Sequence, residues 1–175
     1  MKPATNSRNL LRPSSTAFAA EKRAMTTIAY RDGVMAADSG SWMGAACHGW
    51  ADKLAQGPDG TLYGAAGHAP EAMAFLEWVR AGADPATMPK PEAVGDDGNS
   101  FIVLAVSPGG PVRLIAAKGT EAYDAPYFAI GGGSATAFGA LWAGASAVEA
   151  IEATKEHGSS AFGRVRTISH GDFAC

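Results

Sequence analysis

The sequence carries two adjacent threonines, Thr26 and Thr27, directly after Met25 and at the head of a strand-like run. A threonine hydroxyl is a poor nucleophile at neutral pH, because its proton is tightly held and a base must remove it during attack. An N-terminal threonine supplies that base itself, since an α-amino group has an unperturbed pKa of about 7.7–8.0. Cleavage after Met25 would therefore make Thr26 a candidate nucleophile. The alternative is that both threonines are β-branched residues that only begin a strand.

Two charged residues stand at the ends of apolar runs. Asp38 ends the first strand-like run and Lys53 opens a later one. An isolated aspartate or lysine is usually a solvated surface charge, but this arrangement suits two charges paired at a cleft. Arg31 and Asp32 flank a turn and are interpreted as surface residues, and His68, at a helix start, as structural or exposed.

Three β-hairpins are predicted from turn residues that separate short apolar runs. They lie within residues 26–38 around Asp32-Gly33, within 53–66 around Gly57-Pro-Asp-Gly60, and within 100–117 around Ser107-Pro-Gly-Gly-Pro111. The runs are largely apolar on both faces, which is typical of strands that pack between layers.

Helical periodicity predicts a helix over residues 70–81 and a longer helical stretch over 134–157, divided near Gly144 and Ser146. Further strands are predicted at residues 127–130 and 164–168, and a surface loop at 83–99. Sheets covered by helices follow from this order, which is an α+β fold. A four-layer αββα sandwich is one solution, and periodicity alone does not choose it over other α+β folds.

The composition indicates one soluble domain. The chain has 175 residues of which 47% are hydrophobic, and its longest apolar run, residues 101–106, is far shorter than a membrane span. Residues 26–175 carry a net charge of about -7, which argues against nucleic-acid binding. Cys47 and Cys175 lie far apart without metal spacing, so we expect no zinc site, no disulfide framework and a reducing cytoplasm.

The first 25 residues differ from the rest, with five basic residues, one acidic residue and no apolar stretch. The absence of a hydrophobic core excludes a secretory signal, although an organellar transit peptide has a similar composition. We interpret residues 1–25 as a leader, either a propeptide or the product of a start codon assigned upstream of Met25. Both interpretations end at the bond before Thr26, so the folded domain is residues 26–175.

Three blocks of sequence resemble proteasome β-subunits and HslV peptidases, especially their short bacterial and phage homologues. The blocks are Met25-Thr-Thr-Ile-Ala-Tyr-Arg-Asp-Gly-Val-Met-Ala-Ala-Asp-Ser39, then Asp52-Lys-Leu54 followed by Gly64-Ala-Ala-Gly67, and Ala129-Ile-Gly-Gly-Gly133. The resemblance extends over most of residues 26–168. It implies the four-layer αββα sandwich of N-terminal nucleophile hydrolases.

The resemblance also implies catalytic roles. Thr26 matches the nucleophile, Lys53 the neighbouring cation that favours its reactive protonation state, and Asp38 the carboxylate that holds the lysine. Gly67 matches the glycine whose backbone N–H stabilises the oxyanion. Ser160 matches the hydroxyl residue of an Asp-x-x-Ser/Thr-Gly pattern before the last strand.

Two positions depart from the family pattern. The family's Gly-Ser-Gly is Gly131-Gly132-Gly133 here, so Gly132 replaces a serine that supports the threonine amine, and Ser134 is two positions away. His157 replaces the aspartate of the later pattern. A site that depends on fixed geometry loses rate when such hydrogen bonds are missing.

The resemblance implies a threonine-type endopeptidase in a self-compartmentalised homo-oligomeric ring, acting on unfolded polypeptide without a cofactor or metal. An ATPase unfoldase is a further expected partner. Trp142, in an Ala/Gly-rich stretch that is too apolar for a monomer surface, is the expected contact between subunits. The alternatives are a catalytically silent ring subunit and a small-molecule amidase of the same fold.

Overall fold

The computed structural model describes residues 26–43, 46–96 and 98–173. The predicted leader and Cys175 lie outside these residues, and so does the side chain of Cys47. The strands in chain order are β1 (Thr27–Arg31), β2 (Val34–Asp38), β3 (Gly40–Met43), β4 (Ala46–Trp50), β5 (Leu54–Gln56), β6 (Leu62–Gly67), β7 (Ala93–Val94), β8 (Gly98–Asn99), β9 (Phe101–Val106), β10 (Val112–Ala116), β11 (Gly119–Tyr123), β12 (Tyr127–Gly131) and β13 (Val165–Ser169). The α-helices are α1 (Ala69–Arg80), α2 (Ser134–Trp142) and α3 (Ala147–His157).

Most of the strands form two antiparallel sheets. The first sheet has the order β12-β1-β2-β13, and the second has the order β11-β10-β9-β6-β5. The pairs β3-β4 and β7-β8 are separate two-stranded units. Because β1 and β2 are antiparallel neighbours, the residue before β1 and the residue that ends β2 lie at the same end of the first sheet.

The predicted hairpin turns are confirmed, and their backbone angles explain why these residue types occur there. Asp32 and Gly33 both have positive φ angles, of 50° and 77°, as a tight two-residue turn requires. Gly60 and Gly109 supply positive φ angles of 80° and 66° in the other two hairpins. These turns set the register that pairs Ile28 with Ala37 in the first sheet.

Three groups of buried apolar residues hold the elements together. The first lies between the sheets and includes Ile28, Met35, Leu62, Leu104 and Ile130. The second joins the first sheet to α2 and α3 and includes Ala29, Ala36, Leu141 and Ile151. The third joins the second sheet to α1 and includes Phe75, Leu76, Phe101 and Val103. Antiparallel sheets covered by helices agree with the predicted α+β class.

The predicted division of the long helical stretch is confirmed. Gly144 has a φ of 100°, which ends α2, and Ser146 begins α3. The Ser146 hydroxyl accepts from the Glu149 N–H while the Glu149 carboxylate accepts from the Ser146 N–H, forming a capping box. The Ser146 N–H and the Ser146 hydroxyl both donate to the Glu149 carboxylate, and they hold the pKa of this group below its usual range. No described helix is long and apolar enough to cross a membrane.

The interpretation of Arg31 as a surface residue is wrong. Its guanidinium donates to the carbonyls of Leu141 (2.6 Å) and Ala145 (3.1 Å) and lies over the ring of Tyr127. Leu141 lies in the last turn of α2 and Ala145 in the connection to α3, so Arg31 ties β1 to the junction of these two helices. Asp32, in contrast, is exposed as predicted.

Five of the described strands were not predicted, namely β3, β4, β7, β8 and β11. Four of the five residues of β11 are exposed, so this edge strand lacks the apolar pattern that marks a strand in sequence. The predicted loop at residues 83–99 is largely exposed, but it contains a short 3₁₀ turn at Pro85–Thr87 and the β7-β8 pair.

Candidate functional site

Asp38, at the end of β2, is the centre of the candidate site. Its side chain is fully buried and accepts four hydrogen bonds. Oδ1 accepts from the Thr27 N–H (2.8 Å) and from the Lys53 ammonium (2.9 Å). Oδ2 accepts from the backbone N–H groups of Phe162 (3.0 Å) and Gly40 (3.3 Å). A buried carboxylate with this many donors is held in one position.

Lys53 precedes β5 and is only 6% exposed. The hairpin β3-β4 separates it from Asp38 in sequence, and a hydrogen bond from the Ala51 N–H to the Ser39 carbonyl (2.7 Å) closes the base of that hairpin. The two charges are thereby brought together, as the sequence predicted. They form a buried ion pair.

The peptide group between Thr26 and Thr27 is fixed at both of its polar atoms. Its oxygen, the Thr26 carbonyl, accepts from the Gly132 N–H at 2.9 Å, and its nitrogen donates to Asp38. Because Lys53 bonds the same carboxylate oxygen as this nitrogen, its ammonium lies beside the peptide group. Thr26 itself is 9% exposed. The structure therefore brings together Thr26, Asp38 and Lys53.

The two threonines differ in what their hydroxyl groups do. The Thr27 hydroxyl is buried and donates to the Ser160 carbonyl at 3.0 Å. A Cβ at Gly133 would collide with this hydroxyl and with the methyl group of Thr154. Thr27 is therefore committed to packing and hydrogen bonding, and Thr26 is the better candidate nucleophile of the two.

His157 ends α3, and Ser160 lies in the chain segment that leads from α3 to β13. Ser160 is buried, and its observed contact with the site is made by its carbonyl to Thr27. His157, in the last turn of α3, is exposed. The segment thus supports β1 through the backbone of Ser160.

Gly67 ends β6 opposite Phe101, just before α1. Its φ is 134°, and a Cβ there would lie 2.5 Å from the Phe101 Cα and 2.6 Å from the Ser100 carbonyl oxygen. Only glycine fits this close approach of two strands. His68, which follows, is largely exposed and pairs with Glu71 at 3.3 Å.

Several residues that build the site were not predicted from sequence. Gly40 and Phe162 act through backbone N–H groups, which every residue type except proline provides, so no sequence signal identifies them. Thr154 lies beside Gly133, where its methyl group leaves no room for a Cβ. Among the described residues, no group of three His, Cys, Asp or Glu side chains is arranged to hold a metal ion.

No family model matches the chain, and no curated protein matches it by sequence. Solved structures do match its fold. BPH from Thiobacillus denitrificans is similar with a TM-score of 0.61 and 18% identity, over 82% of this chain and 95% of BPH. The structure of BPH in complex with epoxomicin is similar with a TM-score of 0.59 and 17% identity, over 82% of this chain and 96% of BPH.

The eukaryotic HslV from Trypanosoma brucei is similar with a TM-score of 0.53 and 19% identity, over 82% of this chain and 99% of that protein. These identities are low, so the similarity is one of fold. It confirms the predicted resemblance at that level: the chain has the fold of HslV-type proteins.

Proposed function

We propose that this chain is a threonine-type endopeptidase whose nucleophile is Thr26, once Thr26 is the N-terminal residue. The observation that carries the proposal is the buried Asp38 carboxylate, which bonds both the N–H after Thr26 and the Lys53 ammonium. Burying a lysine and an aspartate is costly unless the pair is well bonded. Its location directly beside Thr26 gives it a catalytic use.

The proposal includes the four-layer αββα sandwich of N-terminal nucleophile hydrolases. The three groups of buried residues support it, since one lies between the sheets and the other two lie between a sheet and its helices. In this architecture, the helices cover the faces of the sheets, and the proposed reaction takes place at the end of the first sheet where β1 begins.

In the proposed reaction, the Thr26 hydroxyl oxygen attacks the scissile carbonyl carbon while the Thr26 α-amine takes the hydroxyl proton. The Gly67 N–H donates to the oxyanion that forms. The α-amine then returns the proton to the leaving nitrogen, the C–N bond breaks, and an ester on Thr26 remains. Water hydrolyses the ester and restores the hydroxyl. Lys53, held by Asp38, favours the reactive protonation state of Thr26.

The reaction requires that the chain begin at Thr26. We propose that residues 1–25 are a leader lost at the bond after Met25, or that synthesis begins at Met25. Methionine before a small residue such as threonine is readily removed, whereas a chain begun at Met1 needs autolysis. The N-terminal residue of the purified protein, measured by mass spectrometry, distinguishes the two routes.

Thr26→Ala should abolish peptide hydrolysis and leave the melting temperature nearly unchanged, because the hydroxyl is needed for the ester but adds little to the core. Thr26→Ser should retain part of the rate. Epoxomicin, which binds BPH, should form a covalent adduct on Thr26 that mass spectrometry detects. Thr120→Ala is a matched control, since Thr120 lies exposed on β11. Undiminished hydrolysis by folded Thr26→Ala would contradict the proposal.

The second candidate is a catalytically silent ring subunit. It is favoured by Gly132, which lacks the serine hydroxyl of the family pattern, and by His157, which is exposed and carries no carboxylate. A chain with a free Thr26 that neither cleaves peptides nor reacts with epoxomicin would support this candidate. A small-molecule amidase of the same fold would instead be monomeric or dimeric and would hydrolyse small amides.

We also propose that the domain assembles into a closed homo-oligomeric ring, with an ATPase unfoldase as a further partner. Trp142 ends α2 with 80% of its surface exposed, which suits a contact between subunits. Head-to-tail contacts around a rotation axis close into a ring and would confine the peptidase site. Light scattering at micromolar concentration should give a mass of many subunits. A stable monomer would refute the ring and favour the amidase.

A further inference from the structure

A cleft of about 190 Å³ opens between the two sheets at the end where β1 begins. Its walls come from β6, β8, β9 and β12, and they are formed by Ala66, Asn99, Phe101, Ile102 and Gly131. The last of these connects the cleft to the candidate site. A Cβ at Gly131 would collide with the Thr26 carbonyl, so this wall of the cleft lies against the backbone of Thr26.

The walls of the cleft are apolar and uncharged. Ala66 and Phe101 are buried, and Ile102 is partly buried against the core between the sheets. Asn99 is the one polar side chain among these lining residues, and it is exposed. Its Oδ1 accepts from the Ala117 N–H at 2.8 Å, which holds the amide in place. A charged ligand group would be desolvated here without a counter-charge, which is unfavourable.

The size of the cleft limits what it can bind. Pockets that hold a whole small molecule usually have volumes of about 300–1,000 Å³, and this one is smaller. It suits a single side chain of a longer ligand whose backbone lies outside. An aliphatic side chain would gain free energy from burial of its apolar surface.

We propose that this cleft binds one uncharged aliphatic side chain of the peptide substrate, at a residue that flanks the bond attacked by Thr26. This inference rests on the endopeptidase function proposed above. Ile102 is the residue that determines the accepted size, because it lines the cleft with a branched aliphatic side chain that is only partly buried. Ala66 lies opposite it in the β6-β9 register.

The test uses the full chain, with its N-terminus determined, and quenched fluorogenic peptides in which either flanking residue is leucine, aspartate or tryptophan. At one flanking position, kcat/KM should be at least about tenfold higher for leucine than for aspartate or tryptophan. Ile102→Ala should enlarge the cleft and raise the tryptophan-to-leucine ratio about tenfold. Ile115→Ala is the matched control, because Ile115 is partly buried on β10 but packs on the side of α1.

Binding is measured in parallel, using Thr26→Ala and short blocked peptides of the same three kinds. If the wild-type chain cleaves peptides but Ile102→Ala and Ile115→Ala both show the same tryptophan-to-leucine ratio as the wild type, the cleft proposal is overturned and the peptidase proposal stands. If no peptide is cleaved, the peptidase proposal fails, and the binding measurement then tests the cleft proposal by itself. Tighter binding of the leucine peptide that is lost with Ile102→Ala supports the cleft, and equal or absent binding overturns it.

Discussion

Replacement of Asp38 by asparagine tests whether the buried carboxylate organises the site. In the native protein each oxygen of Asp38 faces two donors: Oδ1 faces Thr27 and Lys53, and Oδ2 faces Gly40 and Phe162. Asparagine keeps one oxygen and puts an NH2 group in place of the other. Whichever way the amide is turned, its NH2 group must face two donors, and the Lys53 ammonium loses its counter-charge.

The size of the effect follows from this geometry. Removal of one partner from a buried ion pair costs about 3–5 kcal/mol, a large part of the roughly 5–15 kcal/mol that stabilises a typical domain. Lys53→Met should cost less, about 1–3 kcal/mol, because the carboxylate keeps its three backbone donors. The order of the two single variants is therefore predicted: Asp38→Asn is the more destabilising. The double variant should recover part of the loss, since it leaves no uncompensated ammonium.

Thermal melting at one fixed protein concentration measures these differences. A loss of about 3–5 kcal/mol corresponds to a decrease in Tm of about 6–20 °C for a domain of this size. Asp52→Asn is the control, because Asp52 is half exposed and pairs with Arg80 at 3.7 Å, and an exposed pair contributes only about 0–1 kcal/mol. If Asp38→Asn melts with the control, or if Lys53→Met is the less stable single variant, the reasoning is wrong.

Two further predictions concern neighbouring positions. Lys53→Ala should lower kcat/KM for peptide hydrolysis on the order of 10²-fold, and Lys53→Arg should restore it only in part because a guanidinium is larger and planar. Equal kcat/KM values for the wild type and Lys53→Ala would show that Lys53 has no part in the mechanism. Gly133→Ala should destabilise the domain by about 1–3 kcal/mol in chemical denaturation, because the added methyl group meets Thr27 and Thr154. Gly139→Ala, in α2 with open space around it, should be neutral or stabilising, and a similar loss in both variants would contradict the packing argument.

The hairpins and helices were predictable because their signals are local. The first hairpin turn requires two positive φ angles, which Asp32-Gly33 adopts and few other residue pairs do. Ser146 and Glu149 likewise form a complete helix cap. Edge strand β11 has no such signal, since its residues are mostly exposed. The role of Arg31 was missed for a related reason: its partners are carbonyls more than 100 residues away in sequence.

The proximity of Asp38 and Lys53 was expected, but their burial was not, because burial depends on what covers them. The covering segment is the one that contains Phe162, whose N–H bonds Asp38 while its carbonyl accepts from the Ser39 and Gly40 N–H groups. These contacts join residues more than 120 positions apart in sequence. Such backbone contacts cannot be predicted from residue types, because nearly every residue has the same backbone groups.

The glycine run before α2 shows which part of the family's pattern depends on side chains and which on backbone. Gly131 and Gly133 must be glycines because there is no room for a Cβ. It would collide with the Thr26 carbonyl at Gly131 and with the Thr27 hydroxyl at Gly133. Gly132 contributes its N–H to the Thr26 carbonyl, and a serine would contribute the same N–H. The departure at Gly132 therefore removes one hydroxyl group and leaves unchanged the backbone contacts that orient Thr26.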